Sequence, residues 1–255
     1  MRWTNDMKSV VVIPARFKSS RFPGKPLVPL LGKPMVLWVA ELSAQAVGKA
    51  NVYIATEDER IADVVTEAGF NVVMTSAGAL TGTDRLAEAA KQIDADIYIN
   101  VQGDEPVIDP LDIQRIIKVK EQHMQAVING FCWIGEDEDP TSVNIPKVVT
   151  NEKNDLMYMS RLAVPGFKDS AVAPLRYKKQ VCIYAFTAQQ LGAYVDFGRK
   201  GEVERSEDIE ILRFLELSVP VKMVETSGGS LAVDVPEDVA IVEAVLKKGL
   251  INAPQ

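Results

Sequence analysis

VVVIPARFKSSRFPGKPLVPLLGKPM, residues 10–35, sets five apolar residues directly against a segment carrying Arg16, Lys18, Arg21, Lys25 and Lys33 and no acidic residue. The run 10–14 reads as a buried strand. Ser19, Ser20 and Gly24 suit a bent, exposed backbone that turns N–H groups and hydroxyls outward. The chain as a whole is acidic, with 35 Asp plus Glu against 28 Lys plus Arg and a net charge of −7. That balance excludes a general nucleic-acid or membrane-surface binder. The positive charge is local, and points to one anionic ligand bound at the end of the first strand.

Outward from this stretch, short apolar runs alternate with amphipathic segments. A helix is predicted over 35–46, a strand over 51–56, a helix over 58–68 and a strand over 71–74. A helix over 83–93, a strand over 97–101 and a helix over 110–122 follow. The alternation predicts an α/β fold with a mostly parallel sheet, right-handed crossovers and flanking helices. Ligands bind beyond the carboxyl ends of the strands in such sheets, which places the basic loop at a binding edge. From about residue 126 the pattern changes. AVINGFCWI, PKVVTN, DLMYMSR and KQVCIYAFT read as strands in antiparallel hairpins. The helical stretch SEDIEILRFLEL, the strand VKMVET and a strand running into a terminal helix, LAVDVPEDVAIVEAVLKKG, complete the chain. No linker divides it, so residues 1–255 are expected to form a single domain. Residues 9–125 would be its parallel, nucleotide-binding half, and residues 126–250 a mixed second half.

Composition fits a globular protein: 47% hydrophobic and 25% charged. Cys132 and Cys182 lie in apolar surroundings and give neither a disulfide framework nor a metal spacing, so they are expected as core thiols in a reducing cytoplasm. No apolar run reaches membrane-spanning length, and no secretory signal precedes the first strand. The leader MRWTNDMK reads as a polar extension, with Met7 an alternative start. The lone His123 is expected to be exposed on a polar helix, which leaves no histidine for acid–base chemistry.

The loops carry the chemistry. The basic segment has neither the spacing of a P-loop nor a G-x-G-x-x-G fingerprint. Its Arg16, Arg21 and Lys25 nevertheless supply full charges suited to phosphate. In NVQGDEPVIDP (residues 100–110) an apolar strand delivers Gln102, Gly103 and Asp104 at its carboxyl end. An aspartate there suits a hard cation such as Mg2+ held beside phosphates. Gly103 permits close approach. In LAVDVPEDVAIV, Asp234 ends another predicted strand, and Pro236 opens a helix. A basic loop, paired aspartates and an α/β sheet together suit phosphoryl or nucleotidyl transfer.

IPARFKSSRFPGKPL, GKPM, TGTDRLAEA, NVQGDEP, SRLAVP and VDVPED, in this order, resemble the CMP-Kdo synthetases, the 3-deoxy-manno-octulosonate cytidylyltransferases. The similarity spans residues 10–245. It implies a fold of the nucleotide-diphospho-sugar transferase type and a Mg2+-requiring homodimer. It also implies an activity that joins CTP to an acidic eight-carbon sugar for lipopolysaccharide or capsule synthesis, releasing diphosphate.

Pro14, Ala15, Arg16, Ser19, Arg21 and Lys25 would then hold the nucleotide and its triphosphate. Ser76, Thr83 and Arg85 would line the cytidine, and Gln102 would face both substrates beside Gly103. Asp104 and Asp234 match the metal carboxylates. Arg161 would meet the sugar carboxylate, and Tyr184 and Glu210 its hydroxyls. The chain departs from the family where RHIGIY becomes KQVCIY, so Lys179 and Gln180 stand for Arg and His. Gln180 would still offer a neutral amide to the sugar. Asp84 stands where Glu is common, and Val235 replaces a Thr. Two rivals remain at this stage: the same chemistry on 8-amino-Kdo or another acidic ulosonic sugar, and a non-catalytic sugar-nucleotide sensor on the same fold.

Overall fold

Alternating valines decide where the first strand lies. In β1 (Ser9–Pro14), Val11 and Ile13 face one apolar layer while Val10 and Val12 face another, and all four are fully buried. A strand buried on both faces belongs at the centre of a sheet covered by helices on each side. The structure, a computed structural model, describes residues 7–18, 22–229 and 231–252.

After β1 comes a small ribbon of β2 (Pro29–Leu30) and β3 (Lys33–Pro34), then α1 (Met35–Val47), β4 (Val52–Thr56), α2 (Glu59–Glu67) and β5 (Asn71–Met74). The chain continues through α3 (Gly82–Ala90), β6 (Ile97–Val101), α4 (Pro110–Gln122), β7 (Val127–Trp133), β8 (Lys147–Thr150) and β9 (Leu156–Ser160). It closes with β10 (Lys178–Phe186), α5 (Ala188–Asp196), α6 (Glu202–Glu207), α7 (Leu212–Glu216), β11 (Val221–Glu225) and α8 (Asp238–Asn252).

One nine-stranded sheet runs through both halves in the order β11-β7-β10-β6-β1-β4-β5, with β8 and β9 added beside β10. Strands β6, β1, β4 and β5 are mutually parallel, as the alternation predicted. Helices α1, α2 and α4 supply Val36, Val39, Ile61, Val65, Ile113 and Ile116 to one core layer. Leu86, Leu191, Tyr194 and Phe214, from α3, α5 and α7, fill the other.

The second half differs from its hairpin reading. Among the described residues of this half, only β8 and β9 form a hairpin between consecutive strands. β10 is antiparallel to β6 and to β7, whereas β11 lies parallel to β7. A bulge interrupts the β10–β7 ladder between Val181 and Tyr184, and the buried Asn129 fills it by donating its amide to the carbonyls of Val181 (2.9 Å) and Ile183 (3.0 Å). The helical stretch 206–217 is split, because Asp208 adopts a left-handed conformation (φ 52°) that ends α6. Residues 231–235 form no strand. Their tie to the sheet is the Val233 N–H, which donates to the carbonyl of Asp104 at 2.9 Å. His123 is half-buried and sits one position beyond α4, not on an exposed helical face.

A third, smaller apolar cluster joins Leu30, Met35, Val233, Val242 and Leu246, and the Leu31 N–H donates to Glu243 at 2.8 Å. This cluster pins α8 and its approach segment against the β2–β3 ribbon, which brings Asp234 to the end of the sheet. Cys132 is a buried core thiol as expected, pushed up to about 11 by burial, whereas Cys182 is half-buried, its thiol also raised by desolvation. No helix among the described residues is long and apolar enough to cross a membrane.

α6 and α7 meet through a fully buried fork. Arg213 donates to both oxygens of Glu204 at 2.6 and 2.7 Å, with 2% and 1% of the two side chains exposed. Removing one member strands the other charge in the core. Arg213→Leu is expected to cost about 3–5 kcal/mol. Urea denaturation checks this, with Arg213→Leu/Glu204→Leu expected to recover part of the loss.

Candidate active site

β1 and β6 pair in parallel with Val12 opposite Asn100, so the residues leaving both strands emerge level at the same edge. Gly103 lies so close to β1 that a Cβ built on it would stand 2.9 Å from the Pro14 carbonyl oxygen. Only glycine fits that approach. Beyond it opens a cavity of about 380 Å³. Pro14, Ala15, Arg16 and Lys25 line one side, Gln102, Gly103 and Asp104 the floor, and Arg85, Glu210 and Asp234 the remaining walls. Residues dispersed over 221 positions of chain, from Pro14 to Asp234, meet here.

Lys25 is presented by a short 3₁₀ turn, Lys25–Leu27, whose preceding Gly24 takes a left-handed conformation (φ 71°). The Gly24 N–H donates to the Phe17 carbonyl at 2.8 Å, which brings together the two ends of the basic segment. Lys25 Nζ lies 2.6 Å from Asp104 Oδ2 and 3.8 Å from Asp234 Oδ1. Asp104 is half-buried and Asp234 exposed. Asp234 is held from the backbone, its N–H donating to Asp238 at 2.8 Å. No group of three or more His, Cys, Asp or Glu side chains able to hold a metal occurs among the described residues. Two hard carboxylates fit a divalent cation of the kind that completes its shell with phosphate oxygens and water.

Arg85 is nearly buried and pairs with Glu57 at 2.9 Å. Burial lowers its pKa, while the Glu57 carboxylate opposes the shift, and the guanidinium keeps its charge. Glu57 also accepts the Phe17 N–H at 3.1 Å, so one carboxylate ties the neck of the basic segment to the opposite wall. Glu210 accepts the N–H groups of Gly82 (3.3 Å) and Thr83 (3.0 Å), an anion seated at the N-terminus of α3. Thr81 caps the same helix through Asp84 N–H at 3.1 Å, and Tyr194 Oη lies 3.3 Å from its hydroxyl.

Other residues expected at the site stand elsewhere. Thr83 is buried behind the cavity wall and acts through its backbone. Ser76 is exposed and engaged by Glu88 through both its N–H and its hydroxyl, each at 2.7 Å. The Arg161 guanidinium donates to the carbonyl oxygens of Glu207, Val143 (2.8 Å) and Asp208 (3.0 Å), a clamp on the chain after β9 and not a lining of the cavity. Gln180 and Tyr184 lie on β10 beyond the lining, with Gln180 Nε2 donating to Asn129 (3.0 Å) and directed at Tyr184 Oη (3.3 Å). Burial, with Cys182 and Glu210 nearby, raises the Tyr184 hydroxyl well above its ordinary pKa and keeps it a donor. The Lys179 ammonium pairs with Glu138 and is thereby taken away from the cavity. Ser19 and Arg21 lie outside the described residues.

Sequence reasoning missed Glu57, Ala79, Leu80, Thr81, Gly82, Lys200 and Asp208. The backbone of 79–82 carries no side-chain signal. Lys200 and Asp208 pair at 3.0 Å on the cavity rim, from a segment read only as helix or link. The acid after β4 was legible in principle, because Glu57 follows a predicted strand at the same edge as the basic loop.

The model of the cytidylyltransferases matches residues 10–220 of this chain. The chain belongs to the cytidylyltransferase family. Among its relatives is the 8-amino-3,8-dideoxy-manno-octulosonate cytidylyltransferase of Shewanella halifaxensis, 39% identical over 246 residues, which cover 94% of this chain and 99% of that one. The 3-deoxy-manno-octulosonate cytidylyltransferase of Syntrophotalea carbinolica is 40% identical over 252 residues, again 94% and 99% of the two chains. A solved CMP:2-keto-3-deoxy-manno-octonic acid synthetase complexed with CTP superposes with a TM-score of 0.88 at 35% identity, covering 95% of this chain and 99% of that one. In this cytidylyltransferase the shared fold therefore carries the cavity at the β1–β6 edge.

Gly103→Ala would force a methyl group onto a backbone oxygen that cannot yield without parting β1 from the β6 exit. A loss of about 1–3 kcal/mol is expected, typical of overpacking, together with weakened CTP binding. Urea denaturation and a CTP titration of the variant check both; unchanged stability and affinity would contradict the close approach.

Proposed function

We propose that this cytidylyltransferase joins CTP to Kdo, an acidic eight-carbon sugar, in a Mg2+-dependent reaction that yields CMP-Kdo and diphosphate. The observation that carries the reading is the convergence of Lys25, Asp104 and Asp234 at one end of a cavity that Arg16 and Arg85 also line. A triphosphate needs that density of cations, and a nucleotidyl transfer needs the paired carboxylates. Both kinds of similar relative, named for Kdo and for 8-amino-Kdo, support an acidic ulosonic acceptor.

Asp104 and Asp234 would hold Mg2+, whose chemistry when bound is Lewis-acid stabilisation of charge on the triphosphate and the acceptor oxygen. Arg16 and Lys25 orient the triphosphate and meet the charge that grows on the departing diphosphate. The sugar's anomeric hydroxyl attacks the α-phosphorus and gives up its proton to solvent water, the bond from the α-phosphorus to the α–β bridging oxygen breaks, and diphosphate leaves. No protein nucleophile takes part. Gln102 lines the cavity directly after Val101, which pairs with Ile183 of β10, and the acceptor's hydroxyls would lie toward Gln180 and Tyr184 of that strand. The Arg161 guanidinium would have to exchange a carbonyl for the sugar carboxylate to serve the acceptor. A non-catalytic sensor would need no paired carboxylates at the triphosphate end.

One observation favours the 8-amino sugar as a second reading. The Glu210 carboxylate lines the cavity and would suit an ammonium group. A homodimer is proposed with either sugar, supported by the exposed apolar residues Met157, Leu162, Phe167, Val172 and Leu175 of the second half. A cytoplasmic site of action belongs to the same proposal, since CTP is an intracellular nucleotide.

Diphosphate release from CTP with Kdo, with 8-amino-Kdo and with no sugar tests the reading. Sugar-dependent release is expected, with the better acceptor identifying the substrate; no release with either sugar would refute it. Asp104→Asn is expected to lower turnover by about two orders of magnitude or more while the thermal transition is retained. Near-normal turnover at saturating Mg2+ would remove Asp104 from the mechanism.

A further inference from the structure

The placement of Lys25 has a consequence for how the site loads. Its ammonium stands 2.6 Å from Asp104 Oδ2 and 3.8 Å from Asp234 Oδ1, within the space between the two carboxylates. The side chain is only 17% exposed, so this is a held position and not a solvated tail. The neighbouring structure explains the hold. The left-handed Gly24 and its bond to Phe17 fix the start of the 3₁₀ turn, and the carboxylate of Asp104 sits on the rigid exit of β6.

A divalent cation bound to that same Asp104 oxygen at about 2.1 Å would lie within about 5 Å of Nζ. Two like charges at that separation, in a partly desolvated site, oppose each other strongly. The ammonium and the metal thus compete for one pair of carboxylates.

We propose that Lys25 is a built-in placeholder cation: it neutralises Asp104 and Asp234 in the empty site, excludes free divalent metal, and leaves only when the triphosphate attracts it. This deepens the function proposed above and rests on its assignment of metal to the two aspartates. Metal entry is then coupled to nucleotide entry. The triphosphate draws Nζ away from Asp104 and supplies the phosphate oxygens that complete the metal's shell. Each ligand raises the affinity for the other by the same factor, as linkage requires. The empty enzyme keeps its carboxylates compensated, and the charged site assembles only around CTP. Lys25 therefore has two positions of use, one on the carboxylates and one on the phosphates, which a long flexible ammonium can serve and a rigid guanidinium fork cannot.

The test uses Mn2+ alone as the probe, with free Mn2+ followed by electron paramagnetic resonance in titrations of nucleotide-free protein. Wild type is expected to bind Mn2+ weakly. Lys25→Met, with a side chain of similar length and no charge, is expected to bind it about tenfold tighter or more, within the usual range of coupling between sites. Adding Asp104→Asn to that variant should abolish the gain. Thermal unfolding reports whether each variant is folded, and Mn2+ should raise the transition of Lys25→Met more than that of wild type. Lys25→Gln serves as the second variant if Lys25→Met does not fold. Mn2+ affinity in a folded Lys25 variant that equals or falls below wild type overturns the placeholder. If that result accompanies an inactive Asp104→Asn enzyme, the metal assignment stands and the placeholder alone falls. If Asp104→Asn keeps full Mg2+-supported turnover, both fall together.

Discussion

The parallel pairing of β1 with β6 is the constraint on which the site depends. Its register puts Val12 beside Asn100, so Pro14 and Gly103 leave the sheet in contact, with room for nothing larger than a hydrogen at the Gly103 Cα. That contact sets the floor of the cavity. It brings the basic segment that follows β1 to the carboxylate that follows β6, and Lys25 closes the pair with Asp104 at 2.6 Å. A sheet buried on both faces cannot slide its register without exposing apolar side chains, which makes this edge rigid enough for positioning.

Around that floor the walls are held by charges that serve more than one element. Glu57 receives both the Phe17 N–H and the Arg85 guanidinium. Glu210 lines the cavity and terminates α3 with the same carboxylate. Behind it, the buried Arg213–Glu204 fork fixes α6 to α7, and Arg213 stacks on Tyr194 at 3.6 Å, whose hydroxyl reaches Thr81 at the start of α3. An acidic protein thus uses its carboxylates to place its few convergent cations. The same economy appears in the third cluster, where five apolar side chains and one Glu243 bond carry the terminal helix to the site.

Much of this was legible in the sequence. The strands 71–74 and 97–101 and the helix 110–122 begin and end where the periodicity put them, because each is long enough or apolar enough to declare its period. The helix predicted over 83–93 stops at Ala90, and the stretch 206–217 breaks at Asp208, where one residue with a left-handed backbone outweighs an amphipathic pattern. The segment 231–235 looks like a strand by composition yet forms none, and its Val233 N–H bonds to the carbonyl of Asp104 beyond the end of β6. Among the residues that line the cavity, Arg16 and Lys25 were read from charge and Gln102, Gly103 and Asp104 from their position after a strand. Glu57, Thr81 and Lys200 were missed, because a lone acid, a cap and an isolated cation each look ordinary until their partners are known.

The amino-acid sequence by itself determined the strand–helix alternation, the parallel sheet that follows from it, and the concentration of cations after β1. These are local properties, written in periods of two and 3.6 residues and in composition. The tertiary structure alone decided that Lys25 lies between Asp104 and Asp234, that Arg161 is engaged by backbone carbonyls, and that Ser76 faces Glu88. Such pairings join residues 79 and 209 positions apart for Lys25 alone. Their geometry is set by strand register and helix packing, which no local pattern encodes.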